Sequence, residues 1–386
     1  MTTLCAHEKD HTLHVLSVVS WQHAPLGSSA GGKSARKLQA CACCGKPHHI
    51  AIHTPAEAKA ESRTVVSRPE PFVLNNKTYR ILQSTASEHA QKKKALLEHA
   101  TRAVELQIRG PLALPDDTTK LMAPFVNVDS LLMTSVTASS LPFLPCRKKL
   151  KSLEVRDGRN QTLQHIRHYV NLEKLELYEL LHNGTNEHRN LEHCLEITHL
   201  RRLRTFYASG FLTLDGSEPA EEALFERILQ DKPQINRMTL FGRLSEAVVR
   251  SVATLPLKKL FLLHSEIGDA KLALLSFDTL EELRLHGEHK LTDLTPLQGS
   301  HLRVLQLGQD TLFDDAAFEV ICSMPKLKEL DLYACRLTDV QAEPLLQLSQ
   351  KLRYLVLDSR HPRLSAEMRQ RLKEAFSDKV SLAIMR

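Results

Sequence analysis

Residues 327–339 read LKELDLYACRLTD. The apolar positions Leu327, Leu330 and Leu332 spell the skeleton L-x-x-L-x-L. Alternation along an extended chain sets such leucines on one face of a strand. One strand cannot bury that face by itself, so the pattern asks for neighbours. The chain supplies them. The same skeleton opens LRYLVLDS at Leu352, LRVLQLG at Leu302, LEELRLHG at Leu280 and LKKLFLLH at Leu257. Further back it opens INRMTLFG at Ile235, LRTFYASG at Leu203, LEKLELYE at Leu172 and LKSLEVRD at Leu150. VDSLLMTS at Val128 and AVELQIRG at Ala103 are degenerate copies. Most steps between starts are 22 to 25 residues; the steps from 172 to 203 and from 203 to 235 are longer, through LHNGTNEHRN and LDGSEPAEE.

This skeleton and spacing resemble the leucine-rich repeat superfamily over residues 100–386. The resemblance implies an α/β solenoid: a curved parallel sheet on the concave side, with helices or turns on the convex side. Stacked repeats then share one continuous core. LTDLTPLQG at 291–299 looks like a short repeat, and DDAAFEVICSMPKL at 314–327 like a helix-bearing one. SAEMRQRLKEAF at 365–376 has a capping serine and reads as a closing helix, with KVSLAIMR as an edge strand. STASEHAQKKKALLEHATRA at 84–103 reads as one amphipathic helix that seals the first repeat. The expected division is a small module over 1–60, a linker and capping helix over 61–102, and the solenoid with its C-terminal cap over 103–386.

On the concave face, alternate strand positions point outward. The fourth residue after each start runs Gln107, Leu132, Glu154, Glu176, Tyr207, Thr239, Phe261, Arg284, Gln306, Asp331 and Val356. Two positions on, the central repeats carry Tyr178, Phe241 and Leu263. Tyr178, Tyr207, Phe241, Phe261 and Leu263 therefore gather into an aromatic patch, the kind of anchor that protein interfaces use. The competing reading is that the two long repeats fold over the patch and bury it.

The first sixty residues differ. Residues 40–49 read ACACCGKPHH, and no acidic residue falls between His11 and Ala56. Two thiolates three apart, as in Cys41 and Cys44, can reach one metal around a turn that Gly45 permits. A closed site needs a second pair. Cys5 and His7 are the natural candidates, with His11, Cys43, His48 and His49 as substitutes. The layout resembles a zinc ribbon, although Cys5 and His7 have one residue between them where a knuckle usually has two. Structural Zn2+ would let a short, core-poor segment fold. A redox cluster or a disordered tail are the rivals.

The 386 residues carry eight cysteines without the framework of a secreted domain, and a net charge of +6. With no signal peptide and no apolar span, the expected location is intracellular, cytoplasmic or nuclear. Phosphate-loop and nucleophile-elbow motifs are missing, so neither an enzyme nor a small-molecule substrate is expected. Cys146, Cys194, Cys322 and Cys335 read as core thiols, and His264, His286, His289 and His301 as edge or turn residues. The reading that results is a non-enzymatic scaffold that binds a protein on its concave face. Two alternatives stand beside it: nucleic-acid binding through the basic N-terminal module, and a ubiquitin-ligase adaptor or ligase component.

Overall fold

A computed structural model describes residues 70–114, 118–137, 141, 144–156, 163–178, 194–210, 212–287, 291–308, 314–332, 335, 337–358, 364–376 and 381–385. Thirteen strands form a single sheet in strict chain order. They are β1 Phe72–Leu74, β2 Glu105–Ala113, β3 Ser130–Thr137, β4 Ser152–Arg156, β5 Lys174–Tyr178, β6 Thr205–Ser209 and β7 Arg237–Phe241. They continue as β8 Lys259–Leu263, β9 Glu282–His286, β10 Val304–Leu307, β11 Glu329–Leu332, β12 Tyr354–Asp358 and β13 Ser381–Met385. Every pairing is parallel, each strand with the next. This architecture fits a leucine-rich repeat solenoid.

The skeleton leucines explain the sheet. Leu153, Leu175, Phe206, Met238, Leu260, Leu283, Leu305, Leu330 and Leu355 stand in one register, and all are buried. The residues between them alternate outward, as in the half-buried Glu154, Glu176 and Tyr207. Parallel neighbours need a crossover of a dozen residues or so, and each repeat provides one.

The crossovers fold by local rules. Helix α1 (Asn76–Gln83) starts from Asn75, whose side chain accepts the Lys77 and Thr78 amides. α2 (Ala90–Arg102) follows, and α3 (Thr119–Met122) is a single turn. α4 (Pro219–Gln230) opens on a proline with Glu221 and Glu222 in its first turn, as the N-terminal dipole favours. It buries Leu224, Phe225, Ile228 and Leu229, and Phe225 lies 6.3 Å from Phe206 of β6. α5 (Glu246–Ala253) is capped by Ser245, and α6 (Asp269–Leu272) is again one turn. In α7 (Asp315–Ser323) the Asp314 carboxylate accepts the Ala317 amide at 2.8 Å. Thr338 and Gln341 cap α8 (Asp339–Gln347) reciprocally, and Ser365 accepts the Met368 amide at 3.0 Å to start α9 (Ala366–Phe376). The repeat over 291–299 has only a 3-10 turn at Thr295–Leu297, which Asp269 steadies by accepting from Thr292 and Asp293.

Two differences from the sequence reading concern the first repeat. The helix expected over 84–103 starts at Ala90, after a short turn at Ser87–His89, and a separate helix, α1, precedes it. Ser84 and Ala86 are extended, which breaks the run. The sheet also begins one strand earlier than the repeats. Phe72 and Leu74 are buried and pair with β2, and Phe72 packs edge-on to Phe125 at 5.1 Å. The three-residue strand FVL carries no skeleton, so nothing in the periodicity points to it.

A side-chain tie recurs between repeats. The residue just before a repeat start donates to a main-chain carbonyl of the preceding repeat. Asn127 reaches Thr101 at 2.8 Å, Asn171 reaches Lys148 at 2.5 Å, Gln234 reaches Arg201 at 2.7 Å, and Lys351 reaches Met324. Thr279 does the same to Leu257 at 2.9 Å. These bonds satisfy carbonyls at the turns that the sheet ladder leaves open. The fully buried Lys232 serves likewise. Its ammonium donates to Thr198 at 2.6 Å, and burial pulls its pKa below the ordinary lysine range. Cys146, Cys194 and Cys335 are buried, Cys322 is partly so, and none of the four is joined in a disulfide.

Candidate functional site

Register builds the site. On the open face, Glu176 stands beside Tyr207, Tyr207 beside Thr239, and Thr239 beside Phe261. One row along, Tyr178 stands beside Ser209, Ser209 beside Phe241, and Phe241 beside Leu263. Successive strands therefore offer their aromatics to alternate rows. The rings trace a zigzag from Tyr178 to Tyr207, Phe241 and Phe261, with Leu263 at its end. Four strands at about 4.8 Å each give it a length of about 14 Å. The small Ser209 and Thr239 fill the alternate corners.

All five side chains are half-buried rather than covered. The Tyr178 and Tyr207 rings stack with centroids 4.1 Å apart. Phe241 meets the His264 ring at 5.0 Å. The two ends carry guanidinium groups. Arg156 lies over Tyr178 at 4.8 Å, and Arg284 lies over Phe261 at 5.2 Å. Cations over ring faces are favourable, and they hold the rings at fixed tilt. α4, which fills the second long repeat, buries its apolar side against β6 in the core. The LHNGTNEHRN segment of the first long repeat lies outside the described residues.

Each guanidinium is itself held. Arg156 bonds Glu154 at 2.5 Å. Burial works against its charge, but Glu154 outweighs this and keeps its pKa above the ordinary value. Beyond it, Lys174 pairs with Glu176 at 2.8 Å. Burial pushes the Glu176 carboxyl up, Lys174 pulls it back, and Glu154 beside it adds to the rise. Burial also raises the Tyr178 phenol, with help from Glu176. At the far end Arg284 bonds Glu282 at 2.6 Å, and Lys259 grips the same carboxylate. Burial raises the Glu282 pKa, but the two cations prevail and hold it below the usual carboxylate range. The network runs on through Gln306, 3.4 Å from Arg284, to Asp331 at 2.7 Å. His286 closes the row beside Leu263, and burial lowers its pKa.

The sequence reading placed Tyr178, Tyr207, Phe241, Phe261 and Leu263 on adjacent strands, and the register brings them together. It set Arg284 in the outward row and read His264 as an edge or turn residue, and gave neither these nor Arg156, Glu282 and Lys259 a part in the site. Arg156 and Arg284 had a visible signal: each is a cation one strand from an aromatic, on outward positions. Cys5, His7, Cys41 and Cys44, with the substitutes His11, Cys43, His48 and His49, lie outside the described residues, as does His289. Among the described residues no group of three or more His, Cys, Asp or Glu side chains is placed to hold a metal. Among them too, no helix is long and apolar enough to cross a membrane.

No family model matches the chain, and no curated protein sequence matches it. Solved structures do. An internalin, inlF, from Listeria monocytogenes is 15% identical and covers 75% of this chain and 82% of its own, with a TM-score of 0.47. A chain from the octameric complex of Latrophilin 3, Unc5D and the leucine-rich repeat part of FLRT2 is 13% identical. It covers 74% of this chain and 84% of its own, with a TM-score of 0.43. Both scores are low, and the fold rests instead on the strand register.

Proposed function

We propose that this protein is a non-enzymatic scaffold that docks a protein partner on the open face of its sheet. The observation that carries the reading is the zigzag of Tyr178, Tyr207, Phe241 and Phe261: four half-exposed rings on successive strands, ended by Arg156 and Arg284. Aromatic and arginine side chains dominate the residues whose truncation weakens protein complexes most. Here they are clustered and pre-set by the sheet, so little side-chain freedom is lost on docking. The charged groups at either end supply a polar rim.

The test is affinity capture with the full chain and a Phe241→Ala/Phe261→Ala double variant, each checked by circular dichroism. Captured proteins are quantified by mass spectrometry, and each candidate is then titrated. Loss of about 2 kcal/mol or more, roughly 30-fold in Kd, is expected for a true partner. A partner that binds the folded double variant as tightly as the parent chain removes this face from the function.

A further inference from the structure

A second surface runs along one edge of the same sheet. Two positions in every repeat flank the first skeleton residue, one before and one after. The backbone ladder extends to the later one: the Lys151 amide bonds the Asp129 carbonyl, Glu173 bonds Lys151, Arg204 bonds Glu173, and so on to Arg353 on Lys328. These side chains therefore stand in one row, about 4.8 Å apart.

Charge on this rim is not spread evenly. One cluster brackets Leu150 with Lys149 and Lys151, and Leu203 with Arg202 and Arg204. Lys148 and Arg201 adjoin it, and these six are all exposed. Asp129 and Glu173 stand in the same row and line a recess with Lys148, Lys149, Lys151 and Arg202, so six cations less two carboxylates leave this cluster a net charge of +4. The second cluster covers the last three repeats: His301 and Arg303, Lys326 and Lys328, Lys351 and Arg353. Between the clusters the same positions are neutral or cancelled. They hold Gln234, Asn236, Pro256 and Thr279, and Lys258 pairs with Glu281 at 3.5 Å. Phe, Tyr and Trp are missing from these flanking positions in every repeat.

We infer that this rim binds a nucleic-acid duplex through its phosphates. The clusters are centred on β5 and β11, six strands or about 29 Å apart along the sheet, and their outer members on β4 and β12 are about 38 Å apart. A duplex turns the same groove and the same phosphates toward one side once per turn, about 34 Å in DNA. Two cationic clusters with a neutral gap match that period. An unbroken acidic peptide would gain from cations in the gap as well. The missing rings leave nothing on which to stack an unpaired base, so the rim fits a duplex rather than a single strand, without sequence preference. This surface is separate from the aromatic zigzag and does not depend on it.

The test is fluorescence anisotropy with the full chain, a DNA duplex of about 24 base pairs and a series of salt concentrations. Lys151→Ala/Arg204→Ala empties part of one cluster, and Arg303→Ala/Arg353→Ala part of the other. None of these four side chains makes a side-chain tie between repeats. Arg250→Ala/Arg369→Ala is the control that removes equal charge elsewhere. Each released counterion contributes about 0.9 to the slope of log K against log salt. Each rim pair is expected to flatten that slope by about 1.8, and the control to leave it in place. A hairpin of about 6 base pairs is too short to reach both clusters, so it loses less than the long duplex when the second pair is changed on top of the first. The inference is overturned if the rim variants keep the parent slope, since binding then resides elsewhere in the chain. It is also overturned if polyglutamate binds as tightly as the duplex with the same variant sensitivity. That result would make the rim a site for acidic protein segments.

Discussion

Glu282 offers the most exacting test of how the open face is built. Its side chain is only 6% exposed, yet it carries charge, because Lys259 and Arg284 both donate to it. Glu282→Gln keeps the shape and removes the charge. A hydrogen bond to a charged group contributes about 1.5–3 kcal/mol. Both cations, however, keep over a third of their side chains exposed, 38% and 37%, so water recovers much of each loss. About 1 kcal/mol per bond remains, or about 2 kcal/mol in all. In a chain of this size that lowers Tm by about 2–3 °C at pH 7. Arg284 also loses its hold beside Phe261, so the perturbation reaches the aromatic zigzag. The pH dependence gives the sign. The folded carboxyl titrates below its ordinary value. Its contribution is therefore complete above the unfolded pKa, near 4.3, and is lost as pH falls through the folded one. Thermal melts of parent and variant should differ at pH 7 and converge as pH falls through the folded pKa of Glu282. Hydrogen exchange should locate the loosening in β8, β9 and β10. Equal melting at pH 7, or a gap that does not narrow on acidification, would refute the reasoning. The first result would leave the ion pairs without weight, and the second would make packing rather than charge the cause.

Two further outcomes are expected. Gly287→Ala should cost about 3 kcal/mol or more in denaturant unfolding, because Gly287 has φ +128° and a new Cβ would lie 2.8 Å from the His264 Cα, which is backbone and cannot swing aside. Gly242→Ala, at φ +100° with open space around it, should cost only about 1–2 kcal/mol; equal losses would show that backbone strain alone governs both sites. For the N-terminal segment, elemental analysis of the full chain should find one zinc, lost on Cys41→Ser/Cys44→Ser; a metal-free parent chain would end that expectation for Cys5, His7, Cys41 and Cys44.

Much of the array can be read before any coordinates, for a simple reason. In a parallel stack the repeat spacing and the pairing register are the same information. Outward positions counted from each start, Leu132 through Val356, fall into one row because the sheet has no bulge between β3 and β12 to shift them. The reading thins where local chemistry takes over from period. LDGSEPAEE looked like an insertion because it lengthens a step. Its second half instead starts α4, and Pro219, the early glutamates and the apolar Leu224, Phe225 and Ile228 were the helix signals available. β1 has too few residues to show a pattern at all. The grip of Glu282 on two cations depends on which side chains meet across strands. That is set by register and reach together, and spacing supplies only the first.

The ties between repeats have a mechanical meaning. Each one spans a single junction, from Asn127 to the Thr101 carbonyl or from Lys351 to that of Met324, and the residue doing it changes from asparagine to glutamine, threonine or lysine along the array. Pulled from its two ends, such a stack behaves as springs in series: every junction feels the same force, and the one with the weakest fastening opens first. Rupture would then proceed in discrete steps of one repeat, in an order written by the fastenings rather than by position in the chain.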